Sequence, residues 1–439
     1  MNILGINGSI GWDGNIGFLC GQDYWCHGSG ATLFIDGELV GSLSEERLTR
    51  LKHDGGYPEN VIKQLLLRNN LTPADIDMVG YVGNAVLLCY ALKLQGYTNK
   101  ALSEKFPNAK IMFVDHHLAH AAGSFLSSGF TEANIFSFDG AGDFHPGGKA
   151  NEAKLNNSVF YDADLGAKRI TPLQQTFLDD ANNMFGTVYT ILSTCVYELK
   201  TMGKRLPSSK VNWEHSFEAF DTNVSTEELT DRLKAVLNVC SFSREIDMTD
   251  FDYRFEDNMY MAPIVREQHP GKIMGLSSYG DYKNIDSPDL FVLTELDDMP
   301  VIWCDEDIKN NLLERSKNYQ PEDLASWLQH QFEKYLLLYL KNIPKKVKSK
   351  NLCLSGGCAL NILSNSKIIE EGIYEDVHVN TAPNDDGLNF GVACLLAFKN
   401  EKEFILPENI GCFGFEYENY DVLLTLKEKE THGLCSAGY

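Results

Sequence analysis

The stretch that decides the fold reads IMFVDHHLAHAAGSF over residues 111–125. Its first four residues, Ile111–Val114, form an apolar run typical of a buried strand. Asp115 follows them, and aspartate commonly caps the start of a helix. The next residues, 116–125, predict that helix, and a second apolar strand follows at 135–138. Strand, helix and strand in this order are typical of an α/β protein.

The same alternation of strands and helices extends to both sides of this unit. Before it, the sequence predicts a strand at Ile3–Ile6, a hairpin over 31–43 with a tight primed turn at Asp36-Gly37, a helix opened by Pro58 and a strand at 76–82. After it, the sequence predicts a helix over Glu322–Asn342, strands at 352–354 and 377–379, a helix from Ala359 and an apolar helix ending at Phe398. Two such blocks predict a duplicated two-lobed α/β fold with a cleft between the lobes.

Composition and charge exclude several classes of protein. The chain has 439 residues, of which 44% are hydrophobic and 23% charged, so it is neither disordered nor collagen-like. Its net charge of -23 would repel phosphate backbones, which argues against stable binding of duplex DNA. No stretch reaches the roughly 20 apolar residues that a membrane span needs. The 11 cysteines form no CxxC pair, which favours buried thiols in a cytoplasmic protein.

His116 and His120 are the sharpest chemical signal in the sequence. Residues at positions i and i+4 share one face of a helix, so both imidazoles can bind one metal ion. Both lie in the first turns of the helix, where the macrodipole disfavours the charged imidazolium. The pattern therefore indicates a metal site, and the alternative is a surface or capping histidine cluster.

Two histidines need a further ligand, and carboxylates follow two of the predicted strands. Asp385 and Asp386 precede Gly387, where glycine permits close backbone approach to a ligand, and Asp139 directly follows the strand at 135–138. Carboxylates at strand ends converge on the cleft of an α/β protein. The alternative is that these aspartates only form turns and cap helices.

Two glycine-rich stretches are candidates for binding phosphate or nucleotide. Ser355-Gly356-Gly357 follows a buried strand and precedes a helix, although many ordinary strand–helix turns look alike. Lys272 supplies a cation in a glycine-bounded loop over 271–280, which a plain surface loop would explain equally well. The sequence contains neither a Walker A motif nor GxGxxG, so standard P-loop and Rossmann sites are excluded.

His27 is a candidate general base. It follows an aromatic stretch and precedes a glycine-rich turn at 28–30, where it could accept a proton from a hydroxyl group. The sequence contains no GxSxG elbow and no HExxH motif, so serine-hydrolase and zincin chemistry have no support.

Taken together and in this order, these segments resemble the O-carbamoyltransferase family of nodulation-factor and antibiotic carbamoyltransferases. The resemblance spans about residues 1–398, apart from the middle. The segments that carry it are Ile3–Asn7, His27 with the hairpin at 31–37, Glu45–Asp54, His116–Ala122, Phe138–Gly142, Lys272–Gly280, Leu354–Asn361 and Pro383–Gly391.

The resemblance implies an actin-like ATPase (ASKHA) fold, similar to the catalytic protein of tRNA threonylcarbamoylation, whose two lobes clamp a nucleotide. It implies a divalent metal (iron, zinc, manganese or magnesium) held by the HxxxH pair and a late aspartate. The residues that it singles out are His116, His120 and Asp385 for the metal, Asp139 for catalysis at a metal or phosphate position, Ser355, Gly356, Gly357, Asn361, Gly387 and Lys272 for the nucleotide, and His27 as base.

The resemblance also implies a reaction. Carbamoyl phosphate and ATP give carbamoyladenylate, and the carbamoyl group passes to a hydroxyl of a small acceptor such as a sugar, an antibiotic-like core or a hydroxymethyl-nucleotide. Transfer of threonylcarbamoyl to tRNA is an alternative activity, disfavoured by the acidic balance of the chain and by the Glu45–Asp54 segment. A nucleotide-binding partner module without catalytic activity is an alternative of a different class.

The sequence departs from the family pattern in three places. Gly28 stands where the family has an aspartate after the histidine. We expect lobes at 1–200 and 270–410, separated by a polar insertion at 203–269. The third departure is that the YrdC-like domain of the family is missing, and we expect 411–439 to be a tail or the start of that domain. The adenylate would then come from a separate YrdC-like partner, or the chain is a fragment.

Overall fold

The computed structural model of the protein describes residues 1–8, 28–52, 54–82, 101–140, 142, 144–145, 154–178, 185–202, 269–408 and 410–411. This part of the chain is mixed α/β and contains three sheets. His27, nearly all of the expected insertion at 203–269 and nearly all of the expected tail at 411–439 lie outside the described residues.

The strands of the first sheet are β1 Asn2–Asn7, β2 Gly30–Ile35, β3 Glu38–Ser44, β4 Met78–Val82 and β5 Lys110–Val114. Their order in the sheet is β3-β2-β1-β4-β5. The first three strands pair antiparallel, and β4 and β5 run parallel to β1. The predicted primed turn at Asp36-Gly37 is confirmed, since both residues have positive φ, at 49° and 85°.

The remaining strands are β6 Glu132–Phe138, β7 Phe144–His145, β8 Lys154–Asp164, β9 Arg169–Leu178, β10 Phe291–Leu296, β11 Met299–Cys304, β12 Asn351–Ser355 and β13 Asp376–Val379. The second sheet repeats the pattern of the first. Strand β8 lies between β6 and β9 and is antiparallel to both, whereas β12 and β13 run parallel to β6. A short strand, β7, pairs with the start of β8, and β10 and β11 form a separate hairpin.

The helices correct two sequence predictions. Lys272 lies within a helix, not in a glycine-bounded loop. The adjacent residue Ile273 is buried, and its packing in the core holds this segment in the helix. The helix expected from Ala359 begins at Ile362, because Asn361 caps it by accepting a hydrogen bond from the Ser364 amide. The helices are α1 Glu46–Thr49, α2 Glu59–Arg68, α3 His116–Ser127, α4 Phe185–Met202, α5 His269–Leu276, α6 Glu306–Arg315, α7 Pro321–Asn342, α8 Ile362–Glu370 and α9 Leu388–Asn400.

Two helices form the layer between the two large sheets. Helix α3 leaves β5 of the first sheet and packs on β6 and β12 of the second. Helix α9 follows β13 of the second sheet and packs on β1, β2 and β4 of the first, and it also packs against α3. Their apolar faces share one core that includes Ala119, Phe125, Val392 and Leu396. Because the helices cross between the sheets, residues far apart in sequence meet at their N-terminal ends.

Among the helices that the structure describes, none combines the length and the apolar character that a membrane crossing requires. The cysteines of the described part are free, and all of them except Cys358 are buried. Their burial agrees with the prediction of reduced thiols.

Candidate metal centre

Helix α3 begins with the two histidines of the HxxxH motif. The Asp115 carboxylate accepts a hydrogen bond of 2.9 Å from the Leu118 amide and so caps the helix at its first turn, as predicted. One helical turn separates His116 from His120, and their Nε2 atoms lie 3.1 Å apart. The capped helix therefore presents two imidazole nitrogens to the same point.

Two carboxylates reach that point from other elements. Asp139 directly follows β6, and its Oδ2 lies 3.3 Å from Nε2 of His116 and 3.0 Å from Nε2 of His120. Asp385 opens the 3-10 turn before α9, and its Oδ1 lies 3.6 Å and 3.3 Å from the same two nitrogens. One donor atom from each of the four residues falls within a 4.8 Å span. Asp386, which the sequence left as an alternative, is not in this group.

The four groups are largely withdrawn from water. Both histidines and Asp385 are buried, and the Asp139 side chain retains 13% exposure. Buried carboxylates are stable only when a positive charge or several donors compensate them. Two imidazoles and two carboxylates at this spacing are a ligand set suited to a divalent transition metal, better than to magnesium.

The acid–base equilibria of the cluster are strongly perturbed. Burial alone would lower the pKa of His120, but hydrogen bonds to Asp139 and Asp385 outweigh it and raise the pKa to about 9. Burial opposes ionisation of Asp139, yet the two histidines hold its pKa well below the usual value. Without a cation, a proton on His120 therefore offsets part of the carboxylate charge, and a metal ion would replace that proton.

His117 faces away from this cluster. Its Nδ1 lies 2.8 Å from the Ser137 hydroxyl on β6, and the ring is completely buried. Burial, followed by the repulsion of His116, lowers the pKa of His117 to about 3. His117 is therefore neutral and ties α3 to the second sheet.

The glycine turn proposed for phosphate adjoins the cluster. Ser355 ends β12 and is completely buried, and Gly356 follows with a φ of +88°. A Cβ atom on Gly356 would overlap the carbonyl oxygen of Phe138. At Gly357, a Cβ would lie 2.8 Å from Oδ1 of Asp139. The turn therefore lies in direct contact with the end of β6, which Asp139 follows, and only glycine permits this approach.

Of the other nucleotide candidates, Gly387 lies in the same turn as Asp385, whereas Asn361 and Lys272 lie in other elements. The Asn361 amide exchanges two hydrogen bonds of 2.9 Å with the Gln329 amide of α7 and caps α8. Gly387 closes the 3-10 turn by donating its amide to the Asn384 carbonyl. Lys272 is exposed on α5, with its Nζ 4.8 Å from the centre of the Tyr197 ring.

One buried residue beside the cluster, Asn7, was not predicted as a site residue from the sequence. The Asn7 amide, at the end of β1, donates hydrogen bonds to the carbonyls of Gly28 and Asp385. The available signal was weak: a polar residue that ends an apolar strand just before Gly8. His27 precedes Gly28 but lies outside the described residues.

Comparison with known proteins finds similarity to a carbamoyltransferase domain and to nodulation proteins. Residues 304–394 match the family described as Carbamoyltransferase N-terminus. The nodulation protein NolNO of Sinorhizobium fredii is 24% identical over 395 residues, which cover 84% of this chain and 46% of that protein. Nodulation protein U of Azorhizobium caulinodans is 47% identical over 66 residues, which cover 15% of this chain and 11% of that protein.

A solved structure, full-length HypF in its phosphate- and nucleotide-bound form, aligns with a TM-score of 0.45 at 16% identity, covering 86% of this chain and 54% of that one. The chain spans about half the length of the long curated relatives that it matches, namely 46% and 56%. The matches to the carbamoyltransferase domain and to the nodulation proteins confirm the resemblance read from the motifs: this chain is similar to carbamoyltransferases.

Proposed function

We propose that this chain performs the transfer step of an O-carbamoyltransferase, in which a metal-assisted site passes a carbamoyl group to a hydroxyl of a small acceptor. The observation that carries the proposal is the cluster of His116, His120, Asp139 and Asp385, whose donor atoms lie within 4.8 Å of one another in a chain similar to carbamoyltransferases. The glycine turn at Ser355–Gly357 borders the cluster and is the proposed place of the donor's phosphate.

The ligand set fits a divalent cation. Two neutral imidazoles and two carboxylates offer nitrogen and oxygen donors of the kind that iron, zinc and manganese accept, and magnesium is the least suited. When bound, such a cation would neutralise phosphate charge and orient the donor as a Lewis acid. The carboxylate of Asp139 lies between the histidines and the glycine turn, which supports a role for it at both positions.

The fold that we propose is a duplicated, two-lobed actin-like ATPase fold that clamps ATP or carbamoyladenylate. Its support is topological, since β9-β8-β6-β12-β13 has the same strand order and orientations as β3-β2-β1-β4-β5. The lobes would correspond to residues 1–200 and 270–410, with 203–269 inserted between them. Asn361, Gly387 and Lys272 stay in the proposed nucleotide site, and Lys272 would have to leave the Tyr197 ring to reach a phosphate.

The proposed reaction exchanges one carbon–oxygen bond for another. The acceptor oxygen bonds to the carbamoyl carbon, the bond between that carbon and the phosphate oxygen breaks, and AMP leaves with the electron pair. The hydroxyl proton passes to a base, for which we propose His27. The two substrates held side by side in one cleft would supply much of the rate.

A coupled assay tests this function. The chain is incubated with carbamoyl phosphate, ATP and either an aminosugar or a hydroxymethylated pyrimidine nucleotide, with and without a YrdC-type protein. We expect AMP and a carbamoylated product that disappear in Asp385→Asn. Nucleotide binding without turnover, unaffected by His116→Ala, would favour the partner module, and a product on tRNA alone would favour threonylcarbamoyl transfer.

Metal analysis tests the site itself. The purified protein should carry a stoichiometric divalent ion that His120→Ala loses, because that change removes one of four ligands. His378→Ala is the matched control, since His378 also contacts α3, through the Ser127 hydroxyl at 3.2 Å, but at the other end of the helix. Equal metal content in all three proteins would contradict the site.

A further inference from the structure

Asn7 joins two distant parts of the chain beside the metal cluster. It is the last residue of β1 and is completely buried. Its Nδ2 lies 3.0 Å from the carbonyl oxygen of Gly28 and 3.2 Å from that of Asp385. One side-chain amide thus holds two carbonyl groups that are 357 positions apart in the sequence.

The two main-chain segments that Asn7 holds also touch each other. Gly28 has a φ of +68°, and a Cβ atom there would lie 2.6 Å from the Asp386 nitrogen. The backbone at Gly28 is therefore packed directly on the peptide that joins Asp385 to Asp386. This close approach gives a physical reason for glycine at position 28, where the family has an aspartate.

The position of the Asp385 main chain decides whether its carboxylate reaches the histidines. Its Oδ1 lies 3.3 Å from Nε2 of His120, and an aspartate side chain has only two rotatable bonds with which to correct a shifted backbone. The histidines are held separately, by α3. The carboxylate therefore depends on contacts to its own loop, of which the Asn7 bond is one.

We propose that Asn7 is a positioning residue of the metal centre, fixing the main chain of Asp385 so that its carboxylate completes the ligand set. The inference rests on the metal site of the proposed function. Partners that hold metal ligands in place typically contribute about 10- to 100-fold to metal affinity.

Titration of the metal-free protein with Co²⁺, followed by visible absorption, tests the proposal. We expect Asn7→Ala to bind Co²⁺ about 10- to 100-fold more weakly and with a changed spectrum. Asn7→Asp should be at least as weak, because its carboxylate cannot donate to the two carbonyls. Asn7→Ser, which keeps one donor, should recover part of the affinity and covers the case in which Asn7→Ala does not fold.

Asn2→Ala is the matched control. Asn2 lies on the same strand, and its Nδ2 makes the same kind of bond, to the Asp75 carbonyl at 2.8 Å, away from the cluster. The Co²⁺ affinity and the spectrum of the Asn2→Ala variant should equal those of the wild type. Wild-type affinity and spectrum in Asn7→Ala and Asn7→Ser would overturn the role of Asn7 alone, provided that His120→Ala loses Co²⁺. Absence of Co²⁺ binding by the wild type would overturn the metal site and the Asn7 role together.

Discussion

At the scale of single residues, the cluster is a set of opposite charges in a place that excludes water. His120 is the group that most clearly responds to this setting, because Asp139 and Asp385 both accept hydrogen bonds from its ring when it is protonated. The same nitrogen must lose its proton to bind a metal ion. Protonation of His120 and metal binding therefore exclude each other.

The raised pKa of His120 predicts how pH changes the stability of the metal-free protein. The pKa of His120 is about 9 when folded and near 6.5 when unfolded, so the folded state binds this proton more tightly. The resulting stabilisation is fully present below about pH 6.5 and is lost as pH rises through about 9. Urea unfolding of the metal-free wild type and of His120→Gln should give free energies that differ more at pH 6 than at pH 9.5. A difference that grows with pH would contradict the stabilising contact of protonated His120 with the two carboxylates.

At the scale of elements, the site depends on how closely α3 and α9 approach. A Cβ atom on Gly391 of α9 would overlap the carbonyl oxygen of Ala119 on α3. Gly123 of α3 lies in the same crossing, where a Cβ would come within 3.3 Å of the Gly391 Cα. Helix α3 carries both histidines and α9 follows Asp385, so the separation of these helices sets the distances between the metal donors.

Enlarging Gly391 should therefore affect both stability and metal binding. Gly391→Ala should lower the free energy of unfolding by about 1–3 kcal/mol through overpacking, and should weaken Co²⁺ binding by moving Asp385 away from the histidines. Thermal unfolding and Co²⁺ titration measure the two effects.

Gly275→Ala is the control for this helix crossing. Gly275 also lies in a helix, but an added Cβ would meet no atom within 4 Å. This variant should be as stable as the wild type or more stable, by up to about 1 kcal/mol, because alanine favours the helix. Equal effects of the two substitutions would show that the crossing is not tightly packed.

At the scale of the whole molecule, the cluster joins the two large sheets. The histidines follow β5 of the first sheet, whereas Asp139 follows β6 and Asp385 follows β13 of the second. A ligand that bridges these residues binds the folded chain and not the separated segments. Its binding energy is therefore added to the stability of the whole arrangement.

Metal binding should accordingly raise the unfolding temperature. At a hundredfold excess over its dissociation constant, Co²⁺ or Zn²⁺ should add about 2.7 kcal/mol to the free energy of unfolding. Calorimetry with and without a chelator measures this effect. His120→Ala should show a much smaller response, which separates the site from general cation binding to a chain of net charge -23. An equal rise in the variant would place the binding elsewhere.

Much of the local structure could be read from the sequence. The cap at Asp115, the primed turn at Asp36-Gly37 and the helix opened by Pro58 all appear as predicted, because each depends on residues within a few positions. The prediction of a glycine-bounded loop at Lys272 was wrong because it, too, used only neighbouring residues. Its glycines resemble a turn locally, and only packing against other elements, through Ile273, makes the segment helical.

The sequence by itself determined the donor chemistry: an imidazole pair one helical turn apart, and aspartates placed where strands end. It did so because helical periodicity and side-chain chemistry are local properties. Only the tertiary structure decided that Asp139 and Asp385 both reach the histidines, that Asp386 does not, and that Asn7 holds the Asp385 main chain. Those outcomes depend on two helices crossing between two sheets. This crossing brings residues hundreds of positions apart to within a few ångströms, and such contacts produce no periodic pattern in a sequence.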